Sequence, residues 1–176
     1  MRRPGPAWRA LAAALAVGLA PGAAMALDPG RALSQYVQDH FTDRQGLPED
    51  SVRALVASRR GVLFVGTDEG LARFDGARFS VYDRRSAPAL GSNLVYALAE
   101  DAEEVLWIGT FDAGLYRLAG GVLSAAALPG PLPSPRINAL LADPDGTLWI
   151  GTGAGLAGLR GGALSALGTA EGLPSA

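Results

Sequence analysis

Two of the twenty amino acids are missing from this chain of 176 residues: it has no cysteine, and all 15 of its basic residues are arginine. The absence of cysteine excludes disulfides, thiolate nucleophiles and thiolate metal sites. The absence of lysine excludes a P-loop lysine and a Schiff-base lysine. Histidine occurs once, at His40, which excludes a metal site with two histidine ligands. Aromatic residues are also scarce, at 7%.

The first 26 residues differ in charge from the rest of the chain. They hold three arginines and no acidic residue, then an apolar run from Ala10 to Ala20, and they end in Ala24-Met25-Ala26. A basic start, a short apolar run and an A-x-A ending predict that residues 1–26 are a secretory signal peptide, and hence a periplasmic protein. An uncleaved membrane anchor is the alternative interpretation.

Without this leader, the chain has 12 arginines and 17 acidic residues, which gives a net charge of −5. An acidic exported chain lacks the basic surface that nucleic acid requires, so we expect no nucleic-acid partner.

Many of the 24 glycines recur with a period of about 42 residues. The clearest repeat is a five-residue string that occurs as Leu63–Thr67, Leu106–Thr110 and Leu148–Thr152. Val52, Val95 and Ile137 precede it in the same phase. Gly-Leu pairs and turn glycines follow it in the same phase.

Each period contains four short apolar or alternating segments separated by turn residues, which predicts four antiparallel strands. Four strands every 40–45 residues are typical of β-propeller blades. The sequence therefore predicts an all-β fold, a partial β-propeller of about three four-stranded antiparallel blades. The blades are predicted at residues 46–90, 91–131 and 132–171, and residues 172–176 would begin a truncated fourth.

Residues 27–45 precede the first blade, and their part 34–45 has the spacing of a lone outermost strand. We expect a closing strand that pairs with a final blade, with an extended linker as the alternative. A closed ring usually needs roughly four to eight blades, whereas only three are predicted here. Two explanations for this number remain. The chain is a fragment of a longer propeller, or it closes its ring by oligomerising, for example as a homodimer.

No catalytic motif is recognised. His40 lies in the predicted lone strand, and no elbow motif flanks any serine. Asp143-Pro144-Asp145-Gly146 resembles the start of a calcium loop, but Ala154 falls where the loop would need its final acidic ligand, so a β-turn is expected. We therefore predict no catalytic residue, no metal site and no cofactor.

The best candidates for ligand binding come from the repeat phase. The first strand of each blade is expected to line the central channel, and equivalent positions on it hold Arg53, Tyr96 and Asn138. Polar and aromatic side chains at matching channel positions could bind a small polar molecule or a glycan. The alternative is that they only face water.

The combined string resembles the two-component regulator propeller repeat. It consists of Gly-Leu-Pro at 46–48 and again at 172–174, then Val-x-x-Leu, a turn, Leu-Trp-Ile-Gly-Thr and Gly-Leu. The resemblance covers residues 46–176, and the first repeat departs at Phe64-Val65. It implies the N-terminal piece of a periplasmic sensor, whose inner-membrane anchor and histidine kinase or GGDEF-type diguanylate cyclase output would lie further along the chain. A secreted interaction scaffold, or a polysaccharide-active propeller enzyme, remains as an alternative function.

Overall fold

The structure is a computed structural model, and it describes residues 39–168 and Gly172. The chain divides into two compact units, residues 1–39 and 40–176, and all described residues except Asp39 belong to the second. The predicted signal peptide lies outside the described residues. Among residues 39–168, no helix is long and apolar enough to cross a membrane.

The described residues form twelve strands and no α-helix. The first four are β1 (Val52–Ala57), β2 (Leu63–Thr67), β3 (Gly70–Phe74) and β4 (Phe79–Tyr82). The next four are β5 (Val95–Glu100), β6 (Leu106–Thr110), β7 (Leu115–Ala119) and β8 (Val122–Ala125). The last four are β9 (Ile137–Ala142), β10 (Leu148–Thr152), β11 (Gly155–Arg160) and β12 (Ala163–Leu167).

These strands make three four-stranded antiparallel sheets, in each of which every strand pairs with its neighbours in sequence. The sheets stack in chain order, because β1 contacts β5 and β5 contacts β9. This arrangement confirms the prediction of an all-β partial propeller with three blades. We refer to the sheets as blades 1, 2 and 3, and to β1, β5 and β9 as the inner strands.

The core lies mainly between the blades. One apolar cluster joins blade 1 to blade 2, and a second joins blade 2 to blade 3. Ile108 and Ile150, the central residues of two copies of the repeated string, are fully buried. Burying apolar surface on both sides of a blade explains why the string is apolar on both faces of its strand.

The threonine that ends each string closes the turn into the third strand of its blade. Its hydroxyl donates a hydrogen bond to a glycine carbonyl in each blade: Thr67 to Gly70 at 2.9 Å, Thr110 to Gly114 at 2.8 Å and Thr152 to Gly155 at 2.7 Å. These turns lie beside the inner strands, and they carry part of the candidate site described below.

The described part of the predicted closing strand over residues 34–45 contains no strand. Residues 39–42 have no regular structure, and Asp43–Gln45 form a 3₁₀ helix. The reason is local capping, because the Thr42 hydroxyl accepts a hydrogen bond from the Arg44 amide while the Gln45 side chain accepts one from the Thr42 amide. Gly46, with φ of 102°, ends the turn. Residues 34–38 lie outside the described residues.

Candidate functional site

The three predicted ligand-binding residues, Arg53, Tyr96 and Asn138, occupy equivalent β-bulges. Each is the second residue of an inner strand, and the pairing with the next strand skips it: Val52 pairs with Thr67 and Ala54 with Gly66, and the same shift recurs in blades 2 and 3. A bulge leaves its extra residue unpaired and redirects the side chain. In each blade, one residue therefore lies outside the strand pairing, at the same end of the inner strand.

Arg53 is paired with Asp68, which follows the motif threonine of blade 1. The guanidinium makes a bidentate contact, with Nε 2.9 Å from Oδ1 and Nη2 2.5 Å from Oδ2. The hydrogen bond from Arg53 lowers the pKa of the Asp68 carboxyl, and the hydrogen bond to Asp68 raises the pKa of Arg53. Asp68 thus neutralises Arg53 and fixes the plane of its guanidinium.

Aromatic rings continue the contact across the boundary between blades 1 and 2. The Cζ atom of Arg53 lies 5.3 Å from the centroid of the Tyr96 ring. The Tyr96 ring lies in turn 5.0 Å from the Phe111 ring, centroid to centroid, at an interplanar angle of 48°. Both separations lie within the usual range for cation–π and aromatic pairs.

A second cation–π contact crosses from blade 2 to blade 3. The Cζ atom of Arg136 lies 4.7 Å from the centroid of the Phe111 ring, and its Nε donates a hydrogen bond of 3.0 Å to Oδ1 of Asn138. Six side chains therefore form a continuous row across all three blades, which we call the inner-strand row. In order, they are Asp68, Arg53, Tyr96, Phe111, Arg136 and Asn138.

The row includes the three predicted residues and three that the sequence reasoning missed. Asp68 and Phe111 each follow a motif threonine directly, and Arg136 directly precedes Ile137. Applying the phase argument to the residue after the threonine would have found Asp68 and Phe111. The stacking of Arg136 on a residue of the preceding blade has no such signal, because it depends on how the blades stack.

The row offers an accessible, chemically mixed surface. Arg53, Arg136 and Asn138 are exposed, and Tyr96 and Phe111 are half-buried. No carboxylate pairs with Arg136 among the described residues, and of its three guanidinium nitrogens only Nε has a hydrogen-bond partner there. Such a surface can stack a ring against aromatic faces and donate hydrogen bonds from a planar guanidinium.

Two cavities lie elsewhere, in the grooves between neighbouring blades. The larger, of about 420 Å³, is lined by side chains of blades 1 and 2 that include Arg60, Tyr82 and Glu104. The smaller, of about 190 Å³, lies between blades 2 and 3 and includes Trp107. Neither cavity contains a residue of the inner-strand row.

His40, the single histidine, is exposed near the beginning of the described residues. Within residues 39–168 and Gly172, no group of three or more histidine, aspartate or glutamate side chains could hold a metal ion. Asp143 and Asp145 lie in the turn between β9 and β10, where their side chains accept hydrogen bonds from backbone amides.

Comparison with solved structures identifies propellers. The extracellular domain of BT3049, assigned to the hybrid two-component systems of B. thetaiotaomicron, matches with a TM-score of 0.59 and 26% identity over 70% of this chain. That of BT4673 from the same organism matches with a TM-score of 0.61 and 24% identity over 77% of this chain. The chain spans only 17% and 19% of these two domains.

A virginiamycin B lyase from Staphylococcus aureus matches with a TM-score of 0.53 and 13% identity, over 69% of this chain and 43% of the lyase. At that identity the likeness shows a shared fold alone. No curated protein matches the chain in sequence.

The sequence profile of the two component regulator propeller matches residues 89–112 and 131–154. These two segments contain the beginnings of blades 2 and 3 with their inner strands, the bulged residues Tyr96 and Asn138, and the Leu-Trp-Ile-Gly-Thr strings. Two segments of the chain thus match the two component regulator propeller, and the chain is a partial β-propeller similar to the extracellular domains of hybrid two-component systems.

Proposed function

We propose that this chain is the N-terminal piece of a periplasmic sensor domain of a bacterial signal-transduction protein, and that it binds an extracellular signal on the inner-strand row. The observation that carries the proposal is the alignment of one released side chain per blade, joined by two cation–π contacts into a single surface. Export would follow from residues 1–26, and the kinase or cyclase output and the inner-membrane anchor would belong to the remainder of the sensor.

The row favours a small polar molecule or a glycan as the signal. Tyr96 and Phe111 present aromatic surface to a ring, while Arg136 and Asn138 supply a charged donor and an amide beside it. A sugar combines an apolar ring face with many hydroxyl groups, so it matches both halves of this surface.

Signalling would arise from differential affinity. A ligand that binds one of two arrangements of a dimeric sensor more tightly shifts the population towards that arrangement. The coupling to the output is equal to the difference between the two binding free energies. Because the row crosses all three blades, a ligand on it contacts groups whose spacing depends on how the blades stack.

The experiment measures binding of the exported chain to a panel of neutral and acidic oligosaccharides and small polar metabolites, by calorimetry and thermal shift. We expect Tyr96→Ala and Arg136→Ala to weaken the best ligand by about tenfold or more, equivalent to roughly 1.4 kcal/mol. Arg117→Ala is the matched control, because Arg117 is an exposed arginine of β7 outside the row.

Affinity that is unchanged in both row variants, or no binding by the wild-type chain anywhere in the panel, would contradict the proposal. Turnover of a bound polysaccharide would indicate the enzyme alternative instead.

A further inference from the structure

The two grooves between neighbouring blades occupy equivalent places in the repeat, yet they differ in size. Both are lined by two paired leucines and by the glycine pair of the turn that follows the third strand of a blade. These residues are Leu106, Leu118 and Gly120-Gly121 between blades 1 and 2, and Leu148, Leu159 and Gly161-Gly162 between blades 2 and 3. The groove between blades 1 and 2, which we call the first groove, has about 420 Å³, against about 190 Å³ for the second groove.

One aromatic position explains part of this difference. Phe64 lines the first groove, and its counterpart in the repeated string, Trp107, lines the second. The indole Nε1 of Trp107 donates a hydrogen bond of 2.7 Å to Oδ2 of Asp101, which also lines the second groove. Phe64 has a smaller ring and no N–H group, and Ser58 takes the place of Asp101 in blade 1. The departure of the first repeat from the common string thus leaves the first groove wider.

Opposite charges lie on the two walls of the first groove. Arg73 of β3 stands on the blade 1 wall, and Glu100, the last residue of β5, stands on the blade 2 wall. Both side chains are half-buried. The second groove lacks this pair, because Ala142 takes the place of Glu100, and Arg117, the counterpart of Arg73, does not line it.

These charged groups are available to a ligand. Within the described residues, Arg73 has no hydrogen bond and no ion pair, and the hydroxyl of Tyr82, on the same wall, has no hydrogen-bond partner. Asp75, which follows in the next turn, accepts hydrogen bonds from backbone amides of its own turn. Glu100 accepts one hydrogen bond, at Oε2, from the Arg59 amide 2.8 Å away. Its Oε1 atom accepts none from the described part of the chain.

The remaining charged side chains of the first groove do not cancel this arrangement. Arg60 and Glu104 form an ion pair with each other. Glu103 is exposed and borders both grooves, so it adds negative charge to the blade 2 wall. The first groove therefore has an unpaired guanidinium on one wall, carboxylates on the other, and leucines between them.

We propose that the first groove is a second ligand site, separate from the inner-strand row, which binds an apolar amino acid or a short peptide with free termini. The carboxylate of the ligand lies against the Arg73 guanidinium, which can donate two parallel hydrogen bonds to it. The ammonium group lies against Glu100. An apolar side chain covers Leu106 and Leu118, and the volume of the groove is within the roughly 300–1,000 Å³ of small-molecule sites.

The experiment titrates the chain by calorimetry with leucine, phenylalanine, dileucine and diphenylalanine. We expect at least one of these probes to bind saturably. Its N-acetyl derivative lacks the ammonium group, and its C-terminal amide lacks the carboxylate. Each derivative should bind more than about tenfold more weakly, because each loses one charge-assisted hydrogen bond.

Variants of the two walls locate the site. Arg73→Gln and Glu100→Gln should each weaken binding more than about tenfold, for the same reason. Arg117→Gln is the matched control, because it removes an arginine from the equivalent position of blade 2, outside both grooves. Phe64→Trp gives the first groove the residue of the second, and it should weaken binding by narrowing the groove. Tyr96→Ala should leave binding unchanged, so this result is independent of the function proposed for the inner-strand row.

Circular dichroism verifies the folding of each variant, and Tyr82→Phe, which removes a single hydroxyl, replaces Arg73→Gln if the latter does not fold. The proposal is overturned if none of the probes binds saturably at its highest soluble concentration. It is also overturned if either blocked derivative binds as tightly as the free molecule, if affinity is unchanged in both wall variants, or if Arg117→Gln weakens binding as much as they do.

Discussion

The guanidinium carbon of Arg136 lies 4.7 Å from the centroid of the Phe111 ring, so an arginine that precedes the third blade stacks on an aromatic residue of the second. The two residues are 25 positions apart in sequence, and they belong to different repeats. Their contact fixes the position of the Arg136 guanidinium within the inner-strand row, so the chemistry of the candidate site depends on how blades 2 and 3 stack.

The first prediction concerns this pair. Phe111→Leu keeps an apolar side chain but removes the aromatic face, and Arg136→Met removes the charge while keeping a long stem. In a double-mutant cycle on urea unfolding, we expect a coupling free energy of about 0.5–1 kcal/mol, the usual size for an exposed cation–π pair. Strictly additive losses would show that the stacking contributes nothing to stability.

The second prediction concerns the junction between blades 2 and 3. Gly109→Ala places a Cβ atom 2.5 Å from Cγ2 of Ile137, which must move for the blades to remain stacked. We expect the free energy of unfolding to fall by about 1–3 kcal/mol, the usual cost of overpacking. Gly130→Ala is the control, because its Cβ atom would meet only Leu164, at 3.9 Å. Equal effects of the two substitutions would refute the close approach of the blades.

The third prediction concerns the turn between β5 and β6, where the second repeat lacks the turn glycine. Glu104 takes the left-handed conformation there, with φ of 60°, as Gly61 and Gly146 do in the turns between β1 and β2 and between β9 and β10. A non-glycine residue in this conformation costs about 1–2 kcal/mol. The exposed ion pair of Glu104 with Arg60 adds little to stability, because solvent screens exposed charges.

Because the backbone cost exceeds the value of the ion pair, we expect Glu104→Gly to leave stability unchanged or to raise it by up to about 1 kcal/mol. Glu103→Gly, one residue earlier in the same turn, should lower stability, since it gains no such relief. Thermal unfolding of both variants measures the difference. A clear loss of stability in Glu104→Gly would mean that its contact with Arg60 dominates.

The fourth prediction concerns pH. The hydrogen bond from Arg53 lowers the pKa of the Asp68 carboxyl below its ordinary value of 3.8. A carboxyl with a lowered pKa in the folded state contributes stability that is fully present above the ordinary pKa and is lost as the pH falls through the lowered value. We therefore expect acid to destabilise the wild type more steeply than Asp68→Asn below about pH 4.

Asp112→Asn is the matched control for this titration, because Asp112 is exposed and takes part in no ion pair among the described residues. Urea unfolding at several pH values from neutral to acidic gives the comparison. If the wild type and Asp68→Asn lose stability in parallel, the Arg53–Asp68 pair has no role in folding stability.

The repeat phase predicted the fold well because every blade must satisfy the same neighbours. The residues before and after each string recur in phase, and the three sheets are equivalent in their strand order and in the position of their bulge. The same phase selected Arg53, Tyr96 and Asn138 as equivalent positions of the inner strands, and in the structure each is the bulged residue of its strand.

Local hydrogen bonding explains why the described part of the predicted closing strand is not a strand. The spacing of residues 34–45 favoured a strand through residue 45, but the Thr42–Gln45 capping box competes with strand pairing and ends in a left-handed Gly46. The backbone-to-backbone hydrogen bonds of this turn lie within residues 42–47, and the Asp43 amide donates to the Asp50 side chain, so these groups need no partner strand.

The sequence alone determined the strand order, the turns and the glycine at each blade junction, because these depend on residues that are near each other or that recur at a fixed period. Only the tertiary structure decided which residues of different repeats touch: Arg136 on Phe111, and Arg53 beside Tyr96. The reason is physical: a contact between blades depends on the bulge that redirects a side chain and on the stacking of one sheet on the next. Neither the direction of the redirected side chain nor the stacking of the sheets can be read from the residues of one repeat alone.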